Sequence, residues 1–335
     1  MFYGKLITEF FQITNDFGGT LHEYIGKKKA IDLMKYVDEI NMRYGGEGTK
    51  LYTTAGSAFS TECIKHDLHL LNASVRHLGT DINYVVLENL FAELDIPTSS
   101  NRVDIGVRVE LPAEVFAHIT DELYESKIVY RTEKYGDKVR TFCMNPKGAV
   151  VNENTNGIIT VNGHSYEDPA KQTENTNFAL LVAKHFSEPF KDSNGYGESI
   201  ARLSNMLGGG VIVQRFGDLI RGQRSTASRI DDAFITPTLK ATPGDLSLVL
   251  PKRILDGIIE MIYALDKVAP GTANDDTLLY GVEVKFYNME VNVDKNLESC
   301  HKGLYIIGDG SGITHSLSHA SASGVHVARN IIGKV

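Results

Sequence analysis

The sequence predicts an α/β protein with α+β character, on three observations. Apolar residues recur at helical spacing before residue 100 and after residue 250, and they alternate with polar residues after residue 102. Near the C terminus, a glycine-rich turn joins an apolar run to a second helical pattern. Because 335 residues exceed the usual size of one domain, we expect two interlocked domains.

Three helices are predicted from apolar residues at three- and four-residue steps. The first has the apolar stripe Ala30, Leu33, Met34, Val37 and Ile40. The second, capped by Thr80 or Asp81, has the stripe Ile82, Val85, Val86, Leu90 and Leu94. The third has Pro251 in its first turn and the stripe Ile254, Leu255, Ile258, Ile259, Ile262 and Leu265.

The middle of the chain is predicted to be rich in strands. "RVDIGVRVEL" alternates Val103, Ile105, Val107, Val109 and Leu111 with other residues, which is typical of a half-buried strand. "KIVYRTEKYGDKVRTFCM" predicts a hairpin around Gly136 and Asp137, and "GAVVNENTNGIITVNG" predicts another around Asn156 and Gly157. "TLLYGVEVKFYN" predicts a long strand and "GLYII" a short buried one.

The segment "GLYIIGDGSGITHSLSHASASG" predicts a strand, a turn with glycines 308, 310 and 312, and a helix. The helix is expected to bury Leu317, Ala320, Gly324, Val327, Ala328 and Ile331. Its free N–H groups and positive dipole end suit an anion or a polyhydroxyl chain. Asp309 is then placed to accept hydrogen bonds from hydroxyls. Packing alone also produces such turns, so spacing leaves both interpretations open.

This segment resembles the second flavin-contacting motif of two-dinucleotide-fold flavoproteins. The segments "RTFCMNPKGAVVNE", "VNGHSY", "ENTNFALLV", "QRFGDLIRGQRS" and "PGDLSLVLP" are similar to the uncharacterised FAD-dependent, or NAD(FAD)-utilising, dehydrogenases of glutathione-reductase-like architecture. The resemblance implies that FAD is the cofactor, that Asp309 holds the ribityl hydroxyls, and that residues 313–316 lie at the ring edge. The cofactor contacts it implies are Gly308, Asp309, Gly310, Gly312, Ile313, Thr314, His315 and Ser316.

The resemblance also implies a domain plan. Residues 1–100 form a mainly helical part of the FAD side, 101–290 a β-rich substrate domain inserted in a partial Rossmann-like domain, and 291–335 the C-terminal FAD-binding strand, turn and helix. Family members open with a strand, G-x-G-x-x-G and a helix that hold the pyrophosphate, and this sequence lacks that spacing. We therefore expect a truncated or rearranged member that retains FAD weakly by itself.

Composition excludes several other classes of function. A net charge of −8 without a basic block argues against a nucleic-acid partner, and no apolar run is long enough to span a membrane. Three cysteines at unrelated spacings indicate neither a disulfide framework nor a zinc site. We expect a cytoplasmic protein with a small-molecule substrate. A homo-oligomer, or a partner that supplies the missing dinucleotide-binding unit, is compatible with this plan.

Weaker candidates complete the predicted site. Arg215 and Arg224 can clamp a carboxylate or phosphate, although mixed charges around them favour a solvated, ion-paired helix face. His164 can act as a proton donor and Cys143 as a redox thiol, although structural roles are commoner for both residue types. Asn177 lies in an amide-rich turn that can touch cofactor or substrate.

No metal site is expected. His66, His69 and His77 lack the i, i+4 spacing, and His315 and His319 have it without a third ligand nearby. Two functions remain. The first is an FAD-dependent oxidoreductase of unknown substrate, with NAD(P)H among its electron donors. The alternative is a non-catalytic remnant that binds a ligand or partner.

Overall fold

The computed structural model describes residues 19–43, 84–121, 126–155, 157–166, 168–187, 189–190, 192–315 and 317–333. The chain divides into two compact units. Unit 1 comprises Met1–Asn101, Phe186–Lys191 and Tyr287–Val335, and unit 2 comprises Arg102–His185 and Asp192–Phe286. The cofactor and substrate roles assigned to such ranges stay predictions.

Eleven strands lie in the described residues: β1 (Thr98–Ser99), β2 (Val103–Pro112), β3 (Val129–Arg131), β4 (Lys138–Asn145), β5 (Ala149–Thr155), β6 (Ile158–His164), β7 (Asn175–Lys184), β8 (Ile212–Arg215), β9 (Thr242–Pro243), β10 (Leu278–Lys285) and β11 (Glu290–Val291). The α-helices described are α1 (Leu21–Ile25), α2 (Lys27–Arg43), α3 (Tyr84–Glu93), α4 (Ala113–Thr120), α5 (Ser193–Gly208), α6 (Phe216–Ile220), α7 (Ala227–Asp231), α8 (Lys252–Asp266) and α9 (Leu317–Ile332). This mixture confirms the predicted α/β class with α+β character.

Unit 2 is built on a seven-stranded mixed sheet in the order β3-β4-β7-β2-β10-β8-β9. Its pairs are antiparallel except β8 with β9. Both predicted hairpins are confirmed as β3–β4 and β5–β6, and the predicted long strand is β10. Gly136 and Gly157 have φ of 68° and 81°, the left-handed conformation that tight turns require.

The two faces of this sheet have different covers. Alternate residues of β2, beginning at Ile105, share a face with their cross-strand partners on β7, and helix α8 packs there beside Val139 and Val182. The opposite face of β2 carries Asp104, Arg108 and Glu110. Tyr280 of β10, which lies opposite Arg108, points to the same side of the sheet. Tyr280 packs in one apolar cluster with residues of the β5–β6 hairpin.

The prediction that β2 is half buried is wrong. All its residues except Pro112 are buried, including the three charged ones. The charges are tolerated because each has a partner on another strand of the sheet: Asp104 accepts from Arg140 on β4, while Arg108 donates to Glu283 and Glu110 accepts from Tyr280, both on β10.

Unit 1 contains α1, α2, α3 and α9. The first predicted stripe is confirmed for Ala30, Leu33, Met34 and Val37, which are buried on α2. Leu90 on α3 and Leu94 just after it are exposed, and Phe91 packs instead with Ile96 and Val291. The side chain of Ile40, the capping candidates Thr80 and Asp81, and the apolar side chains 82–86 of that stripe lie outside the described residues.

The C-terminal segment differs from its prediction in two ways. The predicted strand at 304–307 is a single bridge between Tyr305 and Glu298, and Leu304 and Ile307 are exposed. On α9 the buried stripe is rotated by about one position. Ala328 and Ile331 are exposed, and the buried residues are His319, Ala322, Ser323, His326 and Val327. Small side chains at 322 and 323 allow close packing of α9 within the cluster that also contains Leu33 and Met34 of α2.

Candidate functional site

Unit 2 contains a buried polar network centred on Arg108. The guanidinium donates two hydrogen bonds to Glu283, from Nε to Oε2 at 2.7 Å and from Nη2 to Oε1 at 2.9 Å, and both side chains are 0% exposed. Arg108 Nη1 also donates to Asn177 Oδ1 and to the Cys143 carbonyl, each at 2.9 Å. Arg108 Nη2 also donates to Asn162 Oδ1 at 3.4 Å, so the cation is held by one carboxylate and three neutral acceptors away from water.

Two irregularities in strand pairing place residues of this network. On β10 the register with β2 shifts between Gly281 and Glu283, so that Glu283 lies opposite Gly106. Without the extra residue, Val282 would occupy that position and Glu283 would face the α8 side of the sheet. The shift thus turns Glu283 towards Arg108.

The second irregularity is on β4, between Phe142 and Asn145. In an unbroken register, Met144 would lie opposite Asn177. The irregularity places Asn145 there instead. Cys143 within it has φ of 45°, a conformation that non-glycine residues rarely adopt. Its carbonyl accepts from Arg108 and, at 2.8 Å, from Asn145 Nδ2. Backbone strain of this kind is common at functional sites.

The buried carboxyl of Glu110 lies on the same face of β2 as Arg108. Glu110 accepts hydrogen bonds from Tyr280 at 2.6 Å, from Asn175 at 3.1 Å and from the Thr238 hydroxyl. Burial raises the pKa of Glu110, although these donors oppose the shift. Burial, followed by the nearby Glu110 charge, raises the pKa of Tyr280 well above its usual value.

Three of the predicted site residues lie around this network. Asn177 is fully buried and accepts from Arg108 and, at 3.2 Å, from Asn145. Cys143 supplies its carbonyl, and its thiol is half-buried. His164 ends β6 at the surface, with its ring 5.0 Å from the ring of Tyr166 in an edge-on arrangement. The catalytic and binding roles predicted for them stay predictions.

The centre of the network, Arg108 with Glu283, was not predicted from the sequence. Arg108 and Glu283 were placed within strands, and no role was assigned to them. The available signal was the charged residues within otherwise apolar strands at 104, 108, 110 and 283, because a charge on a buried strand requires a partner.

Arg215 and Arg224 make different contacts. Arg215 Nε donates to Asp276 Oδ1 at 2.9 Å, and its Nη1 lies 3.7 Å from Asp218. Arg224 has an exposed side chain, and its carbonyl accepts from Arg229. The contacts of Arg215 correspond to the ion-paired alternative, and the substrate role of both arginines stays a prediction.

The glycine turn in unit 1 combines a packed side with an open side. Gly312 has φ of 68°, and a Cβ there would lie 2.4 Å from the Met289 carbonyl, so only glycine fits. Its own carbonyl accepts from Asn101 at 2.7 Å. By contrast, a Cβ on Gly308 would meet nothing within 4 Å. The Asp309 side chain is 77% exposed, so its carboxylate is available to a ligand.

Ile313 and Thr314, the first residues after the turn, are buried, and the ring-edge role of residues 313–316 stays a prediction. The Ile313 side chain packs in the apolar cluster with Leu33, and its carbonyl accepts from Thr20 at 2.8 Å. Residues 309–311, which include Gly310, form a short 3-10 turn, and α9 begins at Leu317. The helix therefore does not follow the turn directly. Ser316 lies outside the described residues.

Two buried polar atoms in this segment, Thr314 Oγ1 and His315 Nδ1, lack a hydrogen-bond partner among the described residues. His315 Nδ1 lies 3.8 Å from Asp309 Oδ1, and the His315 ring packs 4.3 Å from the Tyr287 ring. Because these two atoms are buried, the groups of this segment that a ligand can reach are the exposed Asp309 carboxylate and the open side of Gly308.

The neighbouring His319 is deeply buried on α9. Burial, followed by the nearby His22 and His315, lowers its pKa to about 4. In the described ranges, no group of three or more histidine, cysteine, aspartate or glutamate side chains is arranged to hold a metal ion. His66, His69 and His77 lie outside those ranges.

Comparison with known proteins identifies the family. The model of the family "FAD-dependent protein, C-terminal domain-like" matches residues 102–286, the same span within which unit 2 lies. The chain belongs to this family. Membership in the FAD-dependent protein family supports the predicted resemblance at the level of an FAD-related protein.

A curated relative gives a second measure of similarity. An uncharacterized protein of Clostridium beijerinckii is 30% identical over 267 residues, which cover 74% of this chain and 49% of that protein. The chain thus spans about half the length of the curated relative that it matches. No helix in the described part of the chain has the length and apolarity needed to cross a membrane.

Proposed function

We propose that the protein is an FAD-dependent oxidoreductase of the dehydrogenase type. The observation that carries the proposal is the family match over residues 102–286. The turn at Gly308–Gly312 supports it, because an exposed carboxylate lies beside a glycine that leaves space for a ligand.

The residues of the turn have distinct roles in this proposal. Asp309 accepts hydrogen bonds from the ribityl hydroxyls, and Gly308 allows close approach. Gly312 fixes the turn through its packing against Met289 and its hydrogen bond from Asn101. When bound, FAD supplies the hydride or electron transfer, and the protein supplies binding and orientation.

The sequence contains no G-x-G-x-x-G unit, which holds the pyrophosphate in dinucleotide-binding folds. We therefore propose that this chain alone holds FAD weakly. A partner protein that supplies such a unit would raise the affinity, because each charge-assisted hydrogen bond contributes about 1.5–3 kcal/mol.

Titration of the purified protein with FAD tests the proposal. We expect a flavin absorbance spectrum perturbed by binding, and bleaching of bound flavin by NADH or NADPH without oxygen. Asp309→Ala should weaken binding about 10- to 100-fold, the equivalent of one hydrogen bond to a charged group. Asp32→Ala, at an exposed carboxylate on α2 that pairs with Lys28, is the matched control. A protein that takes up no FAD would favour the non-catalytic ligand- or partner-binding alternative.

A further inference from the structure

Side chains hold the backbone of the glycine turn in unit 1. The Gly308 N–H donates to Ser323 Oγ of α9 at 3.1 Å, and the Gly308 carbonyl accepts from Ser311 Oγ at 2.6 Å. The Asp309 carbonyl accepts from Asn288 Nδ2 at 2.9 Å. These bonds fix the path of the backbone through the turn without a ligand.

The Asp309 carboxylate, in contrast, is not held in one orientation. It accepts no hydrogen bond from any residue that the structure describes, and 77% of the side chain is exposed. An exposed carboxylate that is free to rotate must be ordered when a ligand binds, and this ordering lowers the affinity. A neighbouring group that orients the carboxylate would reduce that loss.

His315 faces this carboxylate from the segment after the turn. Its Nδ1 lies 3.8 Å from Asp309 Oδ1, which is longer than a hydrogen bond by about 1 Å. The His315 side chain is 7% exposed, and its ring packs 4.3 Å from the Tyr287 ring. Packing thus fixes the His315 ring, while the Asp309 side chain can turn towards it.

The unpaired nitrogen of His315 gives a reason for that movement. Nδ1 is buried and has no hydrogen-bond partner in the part of the chain that the structure describes. A buried polar atom without a partner destabilises the fold. A rotation that brings the Asp309 carboxylate closer by about 1 Å would supply the partner, and the same hydrogen bond would orient the carboxylate.

We propose that His315 is a positioning residue that orients the Asp309 carboxylate towards the hydroxyl groups of FAD. With its proton on Nδ1, the ring donates to Asp309 Oδ1, and the remaining lone pairs of the carboxylate accept from the ligand. His315 acts through Asp309 and makes no contact with the cofactor. This inference rests on the proposed function, because that function makes Asp309 the acceptor for FAD.

Titration with FAD, followed by flavin fluorescence, tests the role with two different replacements. His315→Phe keeps a ring beside Tyr287 but removes Nδ1, and it should weaken FAD binding about three- to tenfold. His315→Asn loses the ring but carries an amide nitrogen at the same number of bonds from Cα, so it should bind FAD more tightly than His315→Phe. Equal affinities, or the reverse order, would mean that ring packing is the role of His315 and would overturn the proposal.

A double variant separates action through Asp309 from an independent effect. In an Asp309→Ala background, His315→Phe should cause no further loss of FAD affinity, and a further loss as large as in the parent would overturn the positioning role. His301→Phe, at an exposed histidine of unit 1 whose Nε2 contacts the Leu94 carbonyl, is the matched control and should leave affinity unchanged. Far-UV circular dichroism of each variant separates loss of binding from loss of fold.

Heteronuclear NMR of the histidine rings gives a readout that does not depend on affinity. The His315 signals, identified by their absence from His315→Phe, should show a proton on Nδ1 when FAD is bound, and a proton on Nε2 alone would overturn the proposal. A parent protein that takes up no FAD would refute the proposed function and this inference with it. FAD uptake by the parent, with His315→Phe binding as tightly as His301→Phe, would refute the role of His315 alone.

Discussion

Replacing Glu283 by glutamine removes the only full negative charge that Arg108 contacts among the described residues. Arg108 would keep Asn177, Asn162 and the Cys143 carbonyl as neutral acceptors. Because both side chains are 0% exposed, water cannot compensate for the lost carboxylate. Breaking a buried ion pair by removing one partner costs about 3–5 kcal/mol, and we expect a loss of that size in the free energy of unfolding.

Arg108→Met should cost less than Glu283→Gln. Lys285 Nζ lies 3.3 Å from Glu283 Oε1 and would still compensate the remaining carboxylate. The double variant Arg108→Met/Glu283→Leu leaves neither charge buried, and it should recover much of the stability lost in the single variants. With the single variant Glu283→Leu added, the parent, Arg108→Met, Glu283→Leu and the double variant form a double-mutant cycle that gives the coupling energy of the pair.

Urea unfolding followed by far-UV circular dichroism provides the measurement. Lys252→Gln is the matched control, because the Lys252–Asp256 pair has a similar N–O distance of 3.0 Å but its lysine is 77% exposed. That change should cost no more than about 0.5 kcal/mol. If Glu283→Gln were no more destabilising than Lys252→Gln, the reasoning on the buried pair would be wrong.

Three further predictions concern pH and the glycine turn. Because the folded pKa of His319 is about 4 and its ordinary value is 6.5, its contribution to stability is present above pH 6.5 and is lost as pH falls towards 4. The loss is about 2 kcal/mol at pH 5, and unfolding of His319→Gln at pH 7.5 and pH 5 should show a correspondingly smaller difference than the parent. Glu110 has the opposite sign, since its folded pKa is raised above 4.5: stability falls as pH rises from 4.5 through the folded pKa, and Glu110→Gln should flatten that slope in urea titrations. Gly308→Ala should cost roughly 1–3 kcal/mol, because Gly308 has φ of 73° and ψ of −163°, a conformation essentially restricted to glycine, whereas Gly312→Ala adds overlap with the Met289 carbonyl to its left-handed strain; equal melting temperatures for the two variants would contradict this difference.

The elements of the fold were largely predictable, because their signals are local. The hairpins at Gly136 and Gly157 and the helix after Pro251 follow from turn chemistry and periodicity. The segment Leu304–Ile307 was predicted wrongly as a strand. Four apolar residues resemble a buried strand whether or not a neighbouring strand is available to pair, and here the pairing is a single bridge. The buried stripe of α9 is rotated because the residues that pack against the helix, such as Leu33 and Met34, determine which side is buried. These tertiary contacts cannot be read from the sequence of the helix itself.

The centre of the candidate site was unpredictable for a related reason. Arg108 is separated from Asn177 by 69 residues and from Glu283 by 175. Moreover, Glu283 faces Arg108 only because of an irregular register that no sequence pattern announced. Cys143, His164 and Asn177 were predicted singly. In the fold, the Cys143 carbonyl and Asn177 accept from the same cation, whereas His164 lies at the surface.

The order of strands also constrains how the protein is made. Strand β2 lies between β7 and β10, and β10 begins at residue 278, so β2 leaves the ribosome long before its second neighbour is synthesised. Until then, one edge of β2 carries unpaired N–H and C=O groups, and Arg108 has no counter-charge from Glu283. Such late-closing sheets fold slowly and present a surface to which other nascent chains adhere. Expression at low temperature, or with chaperones in excess, should therefore raise the yield of native protein.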